Sequence, residues 1–516
     1  MMNREIKTFN ETTFSLGGLF SRLFAKPGYN INIRGKNILY GRKQYKIRSD
    51  GQDPTFLRIK LLSDIRNRLG FPSVSANFVQ LYINDQYMGF YVISDAYKKS
   101  WIEYIYGEKN TTTLYQCNTL RNLTLSGKDG CTNENDEVSD HSEWESFLSQ
   151  VENAKSPEDL EDIFEIDHFM KEMALDYITG SMDHLIKGHN FYFYKQPNGK
   201  WIYLSYDFDL DFGIFFDDLL QTSYTEFFGN NVNLINTLIF KDPQRFEKAL
   251  NEIVQSTMNP ATLFPHIDEL KPFIKPYVKL EKIPDANGRL PGRLNKQSIG
   301  ESYSYEQWDA FTEFTSDIFS VSGYTYGLKY WILMKYRLVC NNYGIEGDPI
   351  YLDENYEYSV NEELNFANKG IIVENPFHIG ENNNENNKNK LSSESFKPDD
   401  TLDIISSNST VIAEDPSKKT IKCLAELIGY TCCSDGITIV YDHDEYGDWS
   451  YDINEHICCG LTPYEEPSTP VDDDCWSKEL GYSCCKGCKV YETDGSGSWG
   501  YELDQWCGIP ISCQTN

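Results

Sequence analysis

The 516-residue sequence predicts an α+β domain followed by two small disulfide-rich β modules. Three observations carry this expectation. Strand-like and helix-like periodicities mix through residues 1–345, an almost wholly polar stretch follows Phe377, and eleven of the fourteen cysteines fall between Cys423 and Cys513. Aromatic residues make up 14% of the chain, which argues for a large packed core. The formal charge of −31 disfavours nucleic acid or an anionic membrane as partner, because both recruit clustered Lys and Arg. No apolar run of about 18 residues is present to span a bilayer. "MMNREIKTFN" has neither the basic start nor the apolar core of a secretion signal, so none is expected within the sequence as it begins here.

Near the start, "INIRGKNILYGRKQYKIRSD" gathers Arg34, Lys36, Arg42, Lys43, Lys46 and Arg48 around Gly35 and Gly41. The glycines let backbone amides approach a phosphate, and Lys43 or Lys46 on the returning strand would neutralise its charge. A basic hairpin answering acidic neighbours is the alternative. Leu57, Leu61, Ile65 and Leu69 then repeat every fourth residue, the stripe of an amphipathic helix ended by Gly70 and Pro72. "FVQLYINDQYMGFYVI" alternates apolar residues on either side of Asn84-Asp85-Gln86 and reads as a hairpin. Ser156 with Pro157 and Asp159 opens a helix that Gly180 stops. Farther on, Leu263, Ile267, Leu270, Ile274 and Val278 keep helical spacing, with Pro265, Pro272 and Pro276 among them expected to kink or divide the helix.

The stretch "WIYLSYDFDLDFGIF" is the chemically unusual one. Leu204, Tyr206, Phe208, Leu210 and Phe212 alternate with Ser205, Asp207, Asp209 and Asp211, the period of a half-buried strand carrying all three carboxylates on one face. Asp is depleted in strands, and like charges so placed repel unless water or a cation relieves them. A solvated acidic face is one reading; a site for Mg²⁺ or Mn²⁺ is the other, and Asp183 in "GSMDHLIKGHN" is placed to join it. His184 and His189 lie five apart with no nearby thiol, which disfavours zinc, and His189 is expected to be structural.

Residues 346–420 read as a polar linker, and two modules follow at 421–461 and 473–513. "CLAELIGYTCC" and "CWSKELGYSCC" share one cysteine pattern, and each copy continues to a Trp-x-Tyr-[Asp/Glu] and a closing Cys-Gly. Copies of this size need disulfides to hold a fold, an arrangement typical of extracellular chains, and the sequons at Asn10, Asn110, Asn122 and Asn408 agree with it. Connectivity stays open. Trp449, Tyr451, Trp499 and Tyr501 serve either to anchor a partner or to pack the modules. "DHDEYG" opens like a calcium loop but lacks its closing Glu, so calcium dependence is not expected.

"IRG" with Lys43 beyond it, "LYINDQYMGFYVISD", "DHLIKGHNFYFY" and "YDFDLDFG" together resemble the CotH-type spore-coat kinase family over roughly residues 15–340. The resemblance implies an atypical protein-kinase-like fold binding ATP and Mg²⁺. It puts the nucleotide phosphates at Lys43, with Lys46 and Arg34 close by, Mg²⁺ at Asp207 and Asp209, a catalytic role at Asp183, and a lesser one at Asp211. The tail resembles fungal cellulosomal dockerins, relatives of carbohydrate-binding modules, which implies docking to a scaffold protein or to enzymes of a plant-wall-degrading complex. The combined expectation is a secreted component of such a complex that phosphorylates protein Ser or Thr. A non-catalytic structural or adhesive protein is the alternative and a glycoside hydrolase the third, because hydrolysis of a sugar has no use for a basic hairpin facing the carboxylates.

Overall fold

A computed structural model gives the structure of residues 6–18, 20–214, 218–298, 302–319 and 323–365, and of short stretches between 422 and 510. The chain divides into two units, Met1–Val373 and Glu374–Asn516. Both parts of the predicted class are present: a mixed helix-and-sheet unit and a small disulfide-stapled one.

The first unit opens with a five-stranded antiparallel sheet made of β1 (Thr12–Leu16), β2 (Tyr29–Ile33), β3 (Gln44–Arg48), β4 (Ala76–Ile83) and β5 (Gln86–Asp95), in the order β1-β2-β3-β5-β4. The β4–β5 hairpin turns at Asn84 and Asp85, both with positive φ (49° and 63°), the mirror-image turn whose twist suits antiparallel strands. Between β3 and β4 runs helix α1 (Arg58–Arg68), which buries Leu61, Leu62 and Ile65 as its stripe requires.

Helices α2 (Lys99–Tyr106) and α3 (Ser142–Asn153) flank a second antiparallel sheet. Its strands are β6 (Leu114–Cys117), β7 (Cys131–Asn133), β8 (Phe191–Lys195) and β9 (Trp201–Ser205), ordered β7-β6-β8-β9, and the disulfide Cys117–Cys131 ties β6 to β7. Ser156 and Asp159 do form a capping box, but on a short turn over Pro157–Leu160; the long helix α4 (Ile166–Thr179) starts afresh and ends at Gly180, with φ 70°. Phe164, fully buried between the two, makes the break useful to the core.

The helix over Pro260–Glu281 runs undivided through its three prolines. Pro265, Pro272 and Pro276 are exposed, so the carbonyls they release face water, while Leu263, Ile267, Ile274 and Val278 hold the buried stripe. The first unit also continues past 345. Tyr351, Leu352, Tyr356 and Tyr358 pack on its core, Phe314 stacks on Tyr358 at 4.5 Å, and the Asn361 amide donates to Thr315 Oγ1. Polar composition hid this segment because its few apolar residues are widely spaced aromatics. Residues 366–420, the rest of the expected linker, lie outside the described set.

In the second unit one small sheet occurs twice. Thr431–Cys432, Ile457–Gly460, Gly447–Asp452 and Asp442–Asp444 lie in that order in the first copy; Ser483–Cys484, Gln505–Gly508, Ser498–Glu502 and Glu492–Thr493 do so in the second. Disulfides Cys433–Cys459 and Cys485–Cys507 occupy corresponding positions of the repeat, and Cys423–Cys432 adds a further staple to the first copy. "DHDEYG" begins as a strand paired with Gly447–Trp449, a hairpin.

Candidate functional site

The three aspartates do not sit on a strand. β9 ends at Ser205; the Tyr206 amide still donates to Asn190 O (3.0 Å), but Asp207 takes a positive φ of 74° and the chain turns until the Phe212 amide reaches Thr179 O at 2.7 Å. Asp tolerates this left-handed conformation, so the apolar alternation runs on without showing where the ladder stops. Phe208 and Phe212 are fully buried, and the carboxylates follow them inward: Asp209 is 4% exposed and Asp211 2%. That excludes the solvated acidic face.

The cations come from β3. Strand alternation sends Tyr45 and Ile47 into the core and Lys46 and Arg48 to the other face. Arg48 Nη2 lies 2.5 Å from both Oδ1 and Oδ2 of Asp207. Lys46 holds its ammonium 4.0 Å from the centre of the Tyr206 ring; burial lowers it to about 8, against the pull of Asp207. Lys43 has the other parity, and its ammonium donates to Gly35 O at 2.7 Å. Arg34 donates to Thr13 Oγ1 at 2.8 Å, and Arg42 pairs with Asp95 at 3.1 Å. The lysine that faces the carboxylates is therefore Lys46, and its companion is Arg48, a member of the same basic cluster that no local signal assigns to the site.

Asp183 is held between α4 and β8. Asn190 Nδ2 donates to its carbonyl (3.0 Å) and to Oδ2 (2.8 Å), while Oδ1 lies 3.2 Å from His189 Nε2 without the alignment of a hydrogen bond, leaving both atoms buried and unsatisfied. Burial raises the Asp183 carboxyl well above its ordinary range, and Asp207, Asp209 and Asp211 add to that. Burial likewise takes His189 down to about 4. Behind it, fully buried His184 places Nδ1 3.0 Å from Asp176 Oδ1 and 2.9 Å from Ser181 Oγ, and Nε2 2.9 Å from Tyr206 O. Burial opposes its charge, but Asp176 outweighs that and raises it to about 9, so His184 is an imidazolium donating on both sides. Arg66, stacked on Phe208 at 4.1 Å, is clamped by Glu172 at 2.9 Å in the same layer. These buried partners are 106 residues apart in sequence, beyond any local spacing signal.

Burial first, and then Asp207, raises Asp209 to about 7, and among the described residues no hydrogen-bond donor reaches its carboxylate. Burial raises Asp211 to about 7 as well, but it faces the His184 and Arg66 layer, and its carbonyl is fixed by Arg58 Nε at 2.8 Å. An unsatisfied Asp183 oxygen and a donor-free Asp209 beside Asp207 fit a hard divalent cation. No three of the aspartates bring their oxygens within 4.8 Å of one another among the described residues, so they do not by themselves form an all-protein cage. Among the described residues the one group drawn that close, Cys423, Glu426 and Cys432, has both sulfurs in a disulfide. The cleft between the sheets is lined by Lys46, Arg48, Asp95, Tyr97, Tyr206 and Asp207.

In the tail, Trp499 is half-buried and meets Trp476 edge to face at 4.7 Å, so it packs its own module as well as reaching the surface. The side chains of Trp449, Tyr451 and Tyr501 lie outside the described set.

Residues 15–309 match the family model described as CotH kinase protein, and residues 474–509 match one described as a cellulose or protein binding domain. Spore coat protein homolog 1 of Rhizopus delemar is 27% identical over 353 residues, covering 61% of this chain and 54% of that protein. Invasin CotH3 of the same organism is 26% identical over 318 residues, 54% of this chain and 51% of its own. In the C-terminal region, endoglucanase B of Neocallimastix patriciarum is 57% identical over 47 residues, 9% of this chain and 10% of the enzyme. The chain spans about half the length of the curated relatives it matches across the first unit. With the first match taking in more than half of its residues, the chain belongs to the CotH kinase protein family.

Proposed function

We propose that the first unit transfers the terminal phosphoryl group of ATP to a protein Ser or Thr hydroxyl, and that the tail docks it to a scaffold or enzyme of an extracellular plant-wall-degrading complex. The observation that carries the reading is the pairing of charges across the cleft: Lys46 and Arg48 on β3 face Asp207, partly exposed, and the buried Asp209 on the turn after β9. Phosphoryl transfer asks the protein for donors to phosphate oxygens, carboxylates for a metal, and an acceptor for the hydroxyl proton. Lys46 and Arg48 supply the first, Asp207 and Asp209 the second, and Asp183 the third. Mg²⁺ held there would neutralise charge on the phosphate oxygens.

The dockerin-like repeats support the second half, since endoglucanase B carries a similar stretch. Disulfides in both units suit an oxidising, extracellular setting. No described helix is long and apolar enough to cross a membrane. A non-catalytic adhesive role is the second reading; what favours it is that Arg48 already occupies both oxygens of Asp207. Calorimetry of the full chain with ATP, with and without Mg²⁺, tests the first reading. Binding that requires Mg²⁺, with ³²P passed to an acceptor protein, supports it; no nucleotide binding at any Mg²⁺ concentration favours the adhesive protein.

A further inference from the structure

We propose that Arg48 is a placeholder cation: it blocks Asp207 until nucleotide arrives, then releases the carboxylate to the metal and moves its own charge onto the phosphates. The inference rests on the nucleotide-and-metal reading of the site and adds an order of events to it.

A single nitrogen, Arg48 Nη2, stands at the same 2.5 Å from both carboxylate oxygens of Asp207. A cation bound bidentately by that carboxylate would stand in the same place. The two uses of Asp207 exclude each other. Lys46 does not share the role: its ammonium rests over the Tyr206 ring and no hydrogen bond to Asp207 forms among the described residues. The other aspartates are not blocked in this way. Among the described residues Asp209 accepts no hydrogen bond, and Asp183 keeps one oxygen unsatisfied, so neither is closed by an arginine as Asp207 is.

Arg48 is also able to leave. Its side chain is 12% exposed and Asp207's 20%, against 1% and 2% for the Arg66–Glu172 pair deeper in the fold, so the contact lies at the mouth of the cleft. A buried guanidinium that loses its carboxylate needs another anion at once, because an unpaired buried charge is costly. Phosphate matches a guanidinium as well as a carboxylate does. A nucleotide entering beside Lys46 therefore offers Arg48 a substitute and frees Asp207 in one exchange. Metal alone offers Arg48 nothing and must displace it against charge repulsion. Metal binding should accordingly depend on nucleotide.

Mn²⁺ binding to the full chain, followed by electron paramagnetic resonance with and without a non-hydrolysable ATP analogue, tests this. For wild type, affinity for Mn²⁺ alone should be weak and should rise when the analogue is present. In Arg48→Gln, Mn²⁺ alone should bind roughly tenfold tighter, the scale on which partners of a metal ligand move its affinity, while analogue affinity falls by a similar factor. Those opposite signs separate the proposal from a structural role, which would weaken both. Arg48→Lys, gentler on folding, should show the same two signs at smaller size. Unchanged or weaker Mn²⁺ binding in folded Arg48→Gln or Arg48→Lys overturns the placeholder while leaving the kinase reading intact. Wild type that takes up neither Mn²⁺ nor analogue, even together, overturns both.

Discussion

His184 should make the first unit's stability fall as the solution turns alkaline. The imidazole is fully buried between Asp176, Ser181 and the Tyr206 carbonyl, and is raised from 6.5 to about 9. A raised pKa means that the folded state holds the proton more tightly, so the stabilisation is complete below 6.5 and is lost as pH climbs through about 9. At 1.36 kcal/mol per pKa unit the full loss is about 3 kcal/mol, or roughly 4 °C in melting temperature for a unit of this size. Asp209 and Asp211, each raised to about 7, lose their own contribution earlier, between 3.8 and 7. Lys46, and Lys26 buried against Glu281 at 2.8 Å, are each lowered by burial to about 8 and act in the opposite sense above that pH. His184→Gln removes the imidazolium and leaves the lysines. Melting curves of wild type and variant every half pH unit from 6 to 10 should therefore converge with rising pH, the wild-type advantage shrinking by about 3 kcal/mol. Parallel curves across that range would show that His184 is neutral in the fold, and the charge balance drawn for the aspartate turn would be wrong.

The remaining expectations concern the site and the tail. Asp207→Asn should keep the fold and lower Mg²⁺-dependent ATP affinity by at least tenfold, whereas Asp211→Asn, facing the His184 layer, should cost stability more than affinity; calorimetry and melting read both. Lys46→Met should weaken ATP binding much more than Lys43→Met, whose ammonium is committed to Gly35 O, and equal losses would restore Lys43 to the site. Dithiothreitol should open the tail modules to protease before the first unit. Cys433–Cys459 and Cys485–Cys507 close loops of 26 and 22 residues, worth about 3 kcal/mol each in a module with little core. Cys117–Cys131 is one staple on a large one. Simultaneous cleavage of both units would contradict that ranking.

Much of the fold was legible because its signals are local. The Asn84-Asp85 turn, the four-residue stripe of α1 and the cysteine repeat each specify geometry within a few residues, and each is found where expected. The misreadings share a cause in tertiary context. Ser156 has a working capping box, yet the helix it announces stops at Leu160 because Phe164 is wanted in the core. Three prolines do not divide the Pro260–Glu281 helix because each falls on its solvent face. β9 ends at Ser205 while the apolar alternation continues, since an irregular turn that buries its apolar residues and its aspartates alike leaves the same trace in sequence as a strand does.

The candidate site divides along the same line. Its acidic half was visible as a breach of local propensity, three aspartates in an apolar run, and such breaches mark sites because only a compensating charge or ligand makes them tolerable. Its basic half was visible as a cluster but not as individual residues, since six cations within one hairpin carry no local mark of which face the cleft. The register decides that. Once Tyr45 and Ile47 are buried, alternation turns Lys46 and Arg48 together to the other face and leaves Lys43 to the hairpin tip. The counter-charges were not visible at all. His184, Asp176, Arg66 and Glu172 lie on three separate segments, and only the packing of α1, α4 and the turn after β9 brings them beneath the aspartates. Their effect reaches the site directly: the imidazolium and guanidinium of that layer lower Asp211, while Asp209, raised by burial and by Asp207, is countered by Arg48 from the side of the cleft. The same turn thus holds Asp211 balanced from within, Asp209 buried with only the side of Arg48 to counter it, and Asp207 at the cleft itself, and it is the last two that binding must complete.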